Sequence, residues 1–350
     1  MNITLLGAGA WGTALAIALS RRHPVMLWSR DAQAVEAMRG ERQNVRYLPG
    51  MMFPEALRVS ADLHEGVAHA KGGLLIVASS VAGLRPLASL LAAHDVDNLV
   101  WLCKGFEEGT ALLPHQVVQH VLGRELHAGA LSGPSFAQEV ARGLPCALTI
   151  GSHSKILREQ VVSAVHGGSI RVYSTDDIIG VEVGGAVKNI LAIATGIADG
   201  LGLGMNARAA LITRGLAEIT RLGTALGGRM ETFMGLTGVG DLILTCTGDL
   251  SRNRQVGLRL AAGQSLPSVI EQLGHVAEGV RCVQAVKTLA EQHVIDMPID
   301  GFCVCCSMRK PLQKPSSNYS LAKRAPSTDH IRVCRRASAM PSSSDANHAH

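Results

Sequence analysis

Residues 7–12, Gly7-Ala8-Gly9-Ala10-Trp11-Gly12, constrain this chain more than any other segment. They lie between a short apolar run, Ile3-Thr4-Leu5-Leu6, and a helix-like run from Thr13 to Arg21. A Gly-x-Gly-x-x-Gly spacing alone is a weak signal, but between a strand and a helix it has a mechanism. Gly7 makes the tight turn, Gly9 leaves room for a pyrophosphate to approach the backbone, and Gly12 lets the helix pack on the strand. The helix N-terminus then presents its free N–H groups to the phosphates. The segment reads as a dinucleotide-binding turn; the alternative is a packing turn of small residues.

The pattern around it continues. Strands are expected at 25–28, 74–78 and 99–103, with helices at about 32–39 and 84–93 between them, and further strands at 128–131, 147–150 and 170–174. Alternating strands and helices predict an α/β fold, a Rossmann-type doubly wound parallel sheet. After about residue 178 the strand signal stops, and apolar-periodic runs at 181–199, 206–226, 252–263, 267–274 and 280–293 read as helices. The expected organisation is a dinucleotide-binding domain over 1–178 and an all-α helical substrate domain over 179–299, with a ligand in the crevice between them. From 300 to 350 Ser, Pro, Arg and Cys replace the helical period, and this tail reads as disordered and atypical.

Charge and composition exclude several functions. The net charge of +5 suggests an anionic polymer, yet residues 301–350 hold eight Lys/Arg against Asp329 and Asp345, leaving 25 basic and 26 acidic residues in the body. A neutral body with 3% aromatic residues is a poor nucleic-acid binder. Scattered cysteines at 103, 146, 246 and 282 read as reduced thiols, the tail cysteines carry no matching histidine spacing, and no metal is expected. The apolar start lacks a preceding positive residue and is broken by glycines, unlike a signal peptide. No stretch is read as reaching the ~18 apolar residues of a membrane span, so no membrane insertion and a cytoplasmic location are expected.

Several residues stand where chemistry is expected. The second strand ends in Trp28-Ser29-Arg30, with Asp31 one place late for the acidic residue that would hold the ribose hydroxyls of NAD. A hydroxyl and a guanidinium suit a 2′-phosphate, so NADP(H) is preferred with NAD(H) possible; Arg30 as the start of a solvated helix is the bland alternative. Lys104 ends another strand at the carboxyl edge of the sheet, where ligands bind, and Ser132-Gly133-Pro134-Ser135-Phe136-Ala137 supplies a second glycine turn there. Lys188 and Asn189 interrupt an apolar helix; a buried lysine has a lowered pKa and can exchange a proton near neutrality, whereas a snorkelling lysine reaches the surface. Ser251-Arg252-Asn253-Arg254 opens a helix with a good N-cap beside guanidinium groups, either an anion site or an ordinary capped helix.

Taken in order, GAGAWGTALA, WLCKGFE, LSGPSFAQEVARGLP, GVEVGGAVKNILAIATGIADGLGLGMNARAALITRGLAEI, GLTGVGDLILTCTGDLSRNR and VAEGVRC resemble the bacterial-type NAD(P)-dependent glycerol-3-phosphate dehydrogenases over residues 1 to about 299. The resemblance implies interconversion of dihydroxyacetone phosphate and sn-glycerol 3-phosphate for glycerophospholipid synthesis, with a small phosphorylated triose as substrate and a possible homodimer. It implies that Gly7, Gly9, Ala10, Trp11, Gly12, Arg30, Lys104, Ala137, Arg252, Val276 and Glu278 contact the cofactor. Lys104, Gly133, Ser135, Lys188, Asp241, Ser251, Arg252 and Asn253 would contact the substrate. Lys188 would exchange the proton, with Lys104, Asp241, Asn189 and Thr245 at the reacting centre.

Three segments depart from the family. Ala78-Ser79-Ser80 stands where a proline is usual before the serine, and Gly279-Val280-Arg281-Cys282 lacks the usual aromatic and asparagine. After Ile299 the family continues with two helices where this chain has its Cys/Ser/Arg tail. The alternatives are a related 2- or 3-hydroxyacid dehydrogenase, with a carboxylate in place of the phosphate, and a catalytically impaired NAD(P)-binding protein.

Overall fold

The computed structural model describes residues 1–123, 126–273 and 278–299. The expected disordered tail lies outside the described residues.

Eight strands form one sheet in the order β3-β2-β1-β4-β5-β6-β7-β8: β1 Ile3–Leu6, β2 Val25–Trp28, β3 Leu57–Ser60, β4 Leu74–Val77, β5 Asn98–Trp101, β6 His127–Ser132, β7 Cys146–Gly151 and β8 Ile170–Thr175. Every residue of β1, β2, β4 and β5 is buried, as parallel strands covered on both faces must be. Successive side chains serve opposite cores. Ile3, Leu5, Leu74, Ile76 and Val100 pack with Leu15 and Leu19 of α1 (Ala10–Ser20), Val35 and Met38 of α2 (Ala32–Glu41), Val140 of α6 (Ala137–Arg142), and Leu157 and Val161 of α7 (Lys155–Val165). Leu6, Leu75, Val77, Leu99 and Trp101 pack on the other face with Val67 of α3 (Leu63–His69), Leu84 and Leu91 of α4 (Val81–Leu91), and Val117 of α5 (Pro114–Leu122).

The sheet is doubly wound but not wholly parallel, which corrects the expectation at one edge. β7 pairs antiparallel with β6, and β8 follows β7 in parallel. Only α6, six residues long, lies between β6 and β7. With its flanking turns, residues 133–145, it lies at the lower limit of what a parallel crossover needs, and β7 instead returns in the opposite sense.

After β8 the chain is helical: α8 Ile178–Gly200, α9 Gly204–Ala225, α10 Met230–Phe233, one turn of π-helix over Leu236–Gly240, α11 Asp241–Thr247, α12 Arg252–Ala261, α13 Leu266–Leu273 and α14 Glu278–Gln292. Asp177 caps α8, accepting from the Gly180 N–H at 2.8 Å. At 23 residues with a mean hydropathy of 1.5, α8 is long and apolar enough to cross a membrane, contrary to the sequence expectation, yet 94% of its most apolar stretch is buried inside the protein. Its apolar positions pack with Ile219 and Leu222 of α9, Leu242 of α11 and Val286 of α14, while Ile193 and Ile197 meet Val256 and Leu260 of α12. Glu182, Lys188 and Asn189 are thus held among side chains rather than lipid.

Candidate active site

The glycine turn has the geometry a dinucleotide requires. Gly7 has φ +128°, and a Cβ there would come within 2.7 Å of the Ala78 carbonyl oxygen. A Cβ on Gly12 would fall 2.1 Å from the Gly7 carbonyl oxygen and 2.7 Å from Cβ of Ala78, so strand and helix touch at this point. A Cβ on Gly9, by contrast, would meet no atom within 4 Å. Gly9 caps α1 without any side-chain hydrogen bond to the first turn, which begins at Ala10. Open space in front of uncapped backbone N–H groups suits a pyrophosphate. Ala78, in the segment that lacks the family's proline, supplies the surface on which Gly7 and Gly12 pack.

At the end of β2 the acidic residue is already engaged. Asp31 caps α2, its Oδ1 accepting from the Ala34 N–H at 3.1 Å. Arg30 is exposed and makes no ion pair among the described residues. A free guanidinium beside an occupied carboxylate suits a phosphorylated ribose better than a ribose diol.

Lys104 lies beyond β5 at the carboxyl edge of the sheet, Lys188 in the middle of α8, and Asp241 at the start of α11. They meet at one carboxylate. Lys188 Nζ donates to Asp241 Oδ1 at 2.6 Å and to Thr245 Oγ1 at 2.9 Å. Lys104 Nζ donates to Asp241 Oδ2 at 2.7 Å and to the Gly133 carbonyl at 3.2 Å. Burial lowers the pKa of Lys188 to about 8 and the Lys104 charge pushes the same way, although Asp241 works against both. Burial alone would raise the Asp241 carboxyl, but the two ammoniums outweigh it and hold it below the ordinary carboxylate range. A lysine titrating near neutrality, held by a carboxylate that stays charged, is equipped to give and take a proton. Cys246 behind it is pushed up to about 12, chiefly by burial, and stays a thiol.

A second polar chain runs beside the first. Asn189 Nδ2 donates to the Gly185 carbonyl at 3.3 Å, Asn253 Nδ2 to Asn189 Oδ1 at 3.0 Å, and the Gly279 N–H to Asn253 Oδ1 at 3.1 Å. This chain ties α8 to the starts of α12 and α14, and a Cβ on Gly279 would strike the Asn189 carbonyl at 2.5 Å. Ser251 serves as the expected N-cap, accepting from the Arg254 N–H, and leaves the Arg252 guanidinium exposed. Glu278 stands beside the Lys104-Gly105 loop, with Oε2 3.8 Å from the place of a Cβ on Gly105. Burial raises its pKa against the opposing pull of Arg281 and Arg252.

The glycine turn and the lysine pair are joined directly. Trp11 Nε1 donates to both the carbonyl and Oγ of Ser135 at 3.2 Å, and Ser135 Oγ donates to the same Gly133 carbonyl that Lys104 holds. Ala137, half-buried, begins α6 just beyond this loop. The expected residues thus fall into one connected region, apart from Arg30, which no contact ties to it; Val276 lies outside the described residues.

Sequence reasoning missed two supports. Arg254 is buried and paired with Asp199 at 2.8 Å and Asp249 at 2.9 Å, while Arg208 also holds Asp199 at 2.8 Å, which fixes the start of α12 against the end of α8. Glu182, six residues before Lys188 in α8, accepts from Trp101 Nε1 and the His115 N–H, both at 2.9 Å. The signal available was an acidic residue inside an apolar helical period. Among the described residues no group of three metal-ligating side chains converges.

The model of the NAD-dependent glycerol-3-phosphate dehydrogenase N-terminus matches residues 2–157, and that of the C-terminus matches 177–304. The chain is 70% identical over 300 residues to the glycerol-3-phosphate dehydrogenase [NAD(P)+] of Janthinobacterium sp. (strain Marseille), covering 85% of this chain and 91% of that protein. It is 68% identical, with the same coverage, to the protein of that name from Herminiimonas arsenicoxydans. The crystal structure of glycerol-3-phosphate dehydrogenase from Coxiella burnetii superposes with a TM-score of 0.82 at 42% identity, covering 87% of this chain and 94% of that one.

Proposed function

The chain belongs to the NAD-dependent glycerol-3-phosphate dehydrogenase family, and from this we propose that it interconverts dihydroxyacetone phosphate and sn-glycerol 3-phosphate with NAD(P) for glycerophospholipid synthesis. The observation that carries the reading is the buried Lys188 and the part-buried Lys104 sharing Asp241, joined through Ser135 to the glycine turn. In this reading residues 1–178 hold the nucleotide and 179–299 the substrate.

The turn at Gly7, Gly9 and Gly12, with Ala10 and Trp11, would hold the pyrophosphate, and Ala137, Arg252, Val276 and Glu278 are proposed to contact the same nucleotide. The free Arg30 supports a preference for NADP(H) with NAD(H) possible. When bound, the nicotinamide supplies the hydride to the ketone carbon or takes it from the alcohol carbon.

The chain's own residues do the rest. In the reducing direction Lys188 gives a proton to the oxygen that becomes the hydroxyl, and in the oxidising direction it takes that proton back. Asp241 holds Lys188 in place, offsets part of the charge of the two lysines and, through its other oxygen, sets Lys104 on the substrate side. Positive charge from both lysines stabilises the developing alkoxide without a metal. Ser251, Arg252 and Asn253 at the N-terminus of α12 would grip the phosphate, Gly133 and Ser135 would line the opposite wall, and Asn189 and Thr245 fix the neighbours of Lys188.

Cys103 and Cys246 are buried and form no disulfide among the described residues, which supports the proposal of a reducing cytoplasmic location. A homodimer belongs to the same proposal and is read by light scattering. The reaction is tested with the full chain by following NADPH, and separately NADH, at 340 nm with dihydroxyacetone phosphate. Substrate-dependent oxidation supports the reading. Nucleotide binding without turnover on any phosphorylated triose would overturn it in favour of an impaired NAD(P)-binding protein.

A further inference from the structure

Ser132 ends β6 at the sheet edge that carries Lys104, is 5% exposed, and its hydroxyl has no hydrogen-bond partner among the described residues. Buried hydroxyls are nearly always partnered, so this one calls for a reason. Its neighbours supply it. A Cβ on Gly185 would lie 3.2 Å from Ser132 Oγ and 3.3 and 3.4 Å from Cδ and Cγ of Lys104. The hydroxyl therefore lies beside the lysine stem, over the turn of α8 that precedes Lys188, and glycine at 185 keeps that spot from being filled.

Lys104 has three N–H donors and commits its ammonium to Asp241 Oδ2 and the Gly133 carbonyl. A ligand oxygen arriving between the two lysines competes with Asp241 for those donors. Nζ is two bonds beyond Cδ, so rotation about the terminal bonds of the side chain carries the ammonium off Asp241 and toward the Ser132 hydroxyl. We infer that Ser132 is a positioning residue for Lys104, its hydroxyl accepting from the ammonium when substrate is bound and holding the lysine against the substrate oxygen. The inference rests on the dehydrogenase reading above.

The test uses the full chain with Ser132→Ala and Ser132→Cys, each alone and combined with Lys104→Met. Three quantities are read: the melting temperature without ligand, the Kd for glycerol 3-phosphate, and KM and kcat for dihydroxyacetone phosphate. The ligand-free melting temperature of Ser132→Ala is expected to equal or exceed that of the wild type, because an unsatisfied group is removed. Its KM and Kd are expected to rise about tenfold, the loss of one hydrogen bond to a charged group, with a smaller change in kcat. Ser132→Cys, with a weaker acceptor of similar shape, is expected between the two. In the Lys104→Met background Ser132→Ala should add nothing to Kd.

Wild-type KM and Kd in Ser132→Ala would overturn the role, as would the same tenfold loss in the Lys104→Met background. A lower ligand-free melting temperature with equal weakening of nucleotide and glycerol 3-phosphate would mark a packing role and overturn it too. If the wild type neither turns over the triose nor binds glycerol 3-phosphate, the dehydrogenase reading falls and takes this inference with it. A responsive wild type beside an unchanged Ser132→Ala removes the serine alone.

Discussion

The ammonium of Lys188 lies 2.6 Å from Oδ1 of Asp241, while the other oxygen of that carboxylate is taken by Lys104. One buried anion therefore faces two cations, and the site carries a net positive charge before any ligand enters. That excess positive charge suits a phosphorylated ligand, while burial is the chief cause that brings the Lys188 pKa down to about 8 against the pull of Asp241.

Asp241→Asn removes the shared anion and leaves two ammoniums in a buried pocket. A loss of about 3 kcal/mol in folding stability is expected, in the range for breaking one side of a buried pair. Chemical denaturation of the two proteins measures it. An unchanged midpoint would mean that the lysines are solvated without Asp241.

The pH dependence follows from Lys188, whose pKa falls from 10.5 to about 8 in the folded chain. With Lys188 as the proposed proton donor, reduction of the ketone needs the protonated lysine, so kcat/KM for dihydroxyacetone phosphate should fall as the pH rises through about 8. Oxidation of glycerol 3-phosphate needs the neutral lysine and should rise through the same pH. Between about 8 and 10.5 the unfolded chain holds the proton that the native one has lost, so this group's contribution to stability increases with pH across that window.

Two glycines of the same turn should respond differently to alanine. Gly12→Ala would force a Cβ to 2.1 Å from the Gly7 carbonyl oxygen, so a lower melting temperature and poor folding are expected. Gly9→Ala meets open space, and the melting temperature should stay near that of the wild type while NADPH binding weakens about tenfold or more. Equal effects of both substitutions on stability, with no selective loss of nucleotide binding at Gly9, would show that the open space is not where the pyrophosphate sits.

On the proposed reading, Arg30 is the residue that distinguishes the two nicotinamide cofactors. Removing its charge in Arg30→Met should raise the KM for NADPH about tenfold and leave that for NADH within a factor of two, as a guanidinium–phosphate contact is charge-assisted. Parallel loss with both cofactors would assign Arg30 to a general rather than a 2′-phosphate contact.

The glycine turn, most strands and the long helices were legible because each is written locally. Four consecutive buried residues make a strand of Val25–Trp28, and an apolar period marks α8. Strand β3 was not read. Leu57-Arg58-Val59-Ser60 is short and carries an exposed arginine, so its strand character comes from pairing with β2 rather than from its own composition. The reversal at β7 was equally hidden, since it depends on how far the short α6 can carry the chain. The apolar length of α8 was underestimated because Lys188 and Asn189 interrupt its hydrophobic run while remaining buried in it.

Within the site, the residue types were legible and the contacts were not. Lys104, Lys188 and Asp241 are far apart in sequence, and nothing local announces that one carboxylate serves both amines. The bond from Trp11 to Ser135 likewise spans 124 residues. The ion pairs and hydrogen bonds of Glu182 and Arg254 were not legible because their partners, Trp101, His115 and Asp199, come from other elements.

The central claim is that Lys188 exchanges the proton of the reaction. Its most direct test is kcat for dihydroxyacetone phosphate reduction by Lys188→Met, with NADPH affinity measured in parallel to show that the nucleotide site is intact. A fall of about 10²–10⁴-fold in kcat, with NADPH affinity kept, is the expected result. A kcat near that of the wild type would contradict the assignment and move the proton to another group in the pocket.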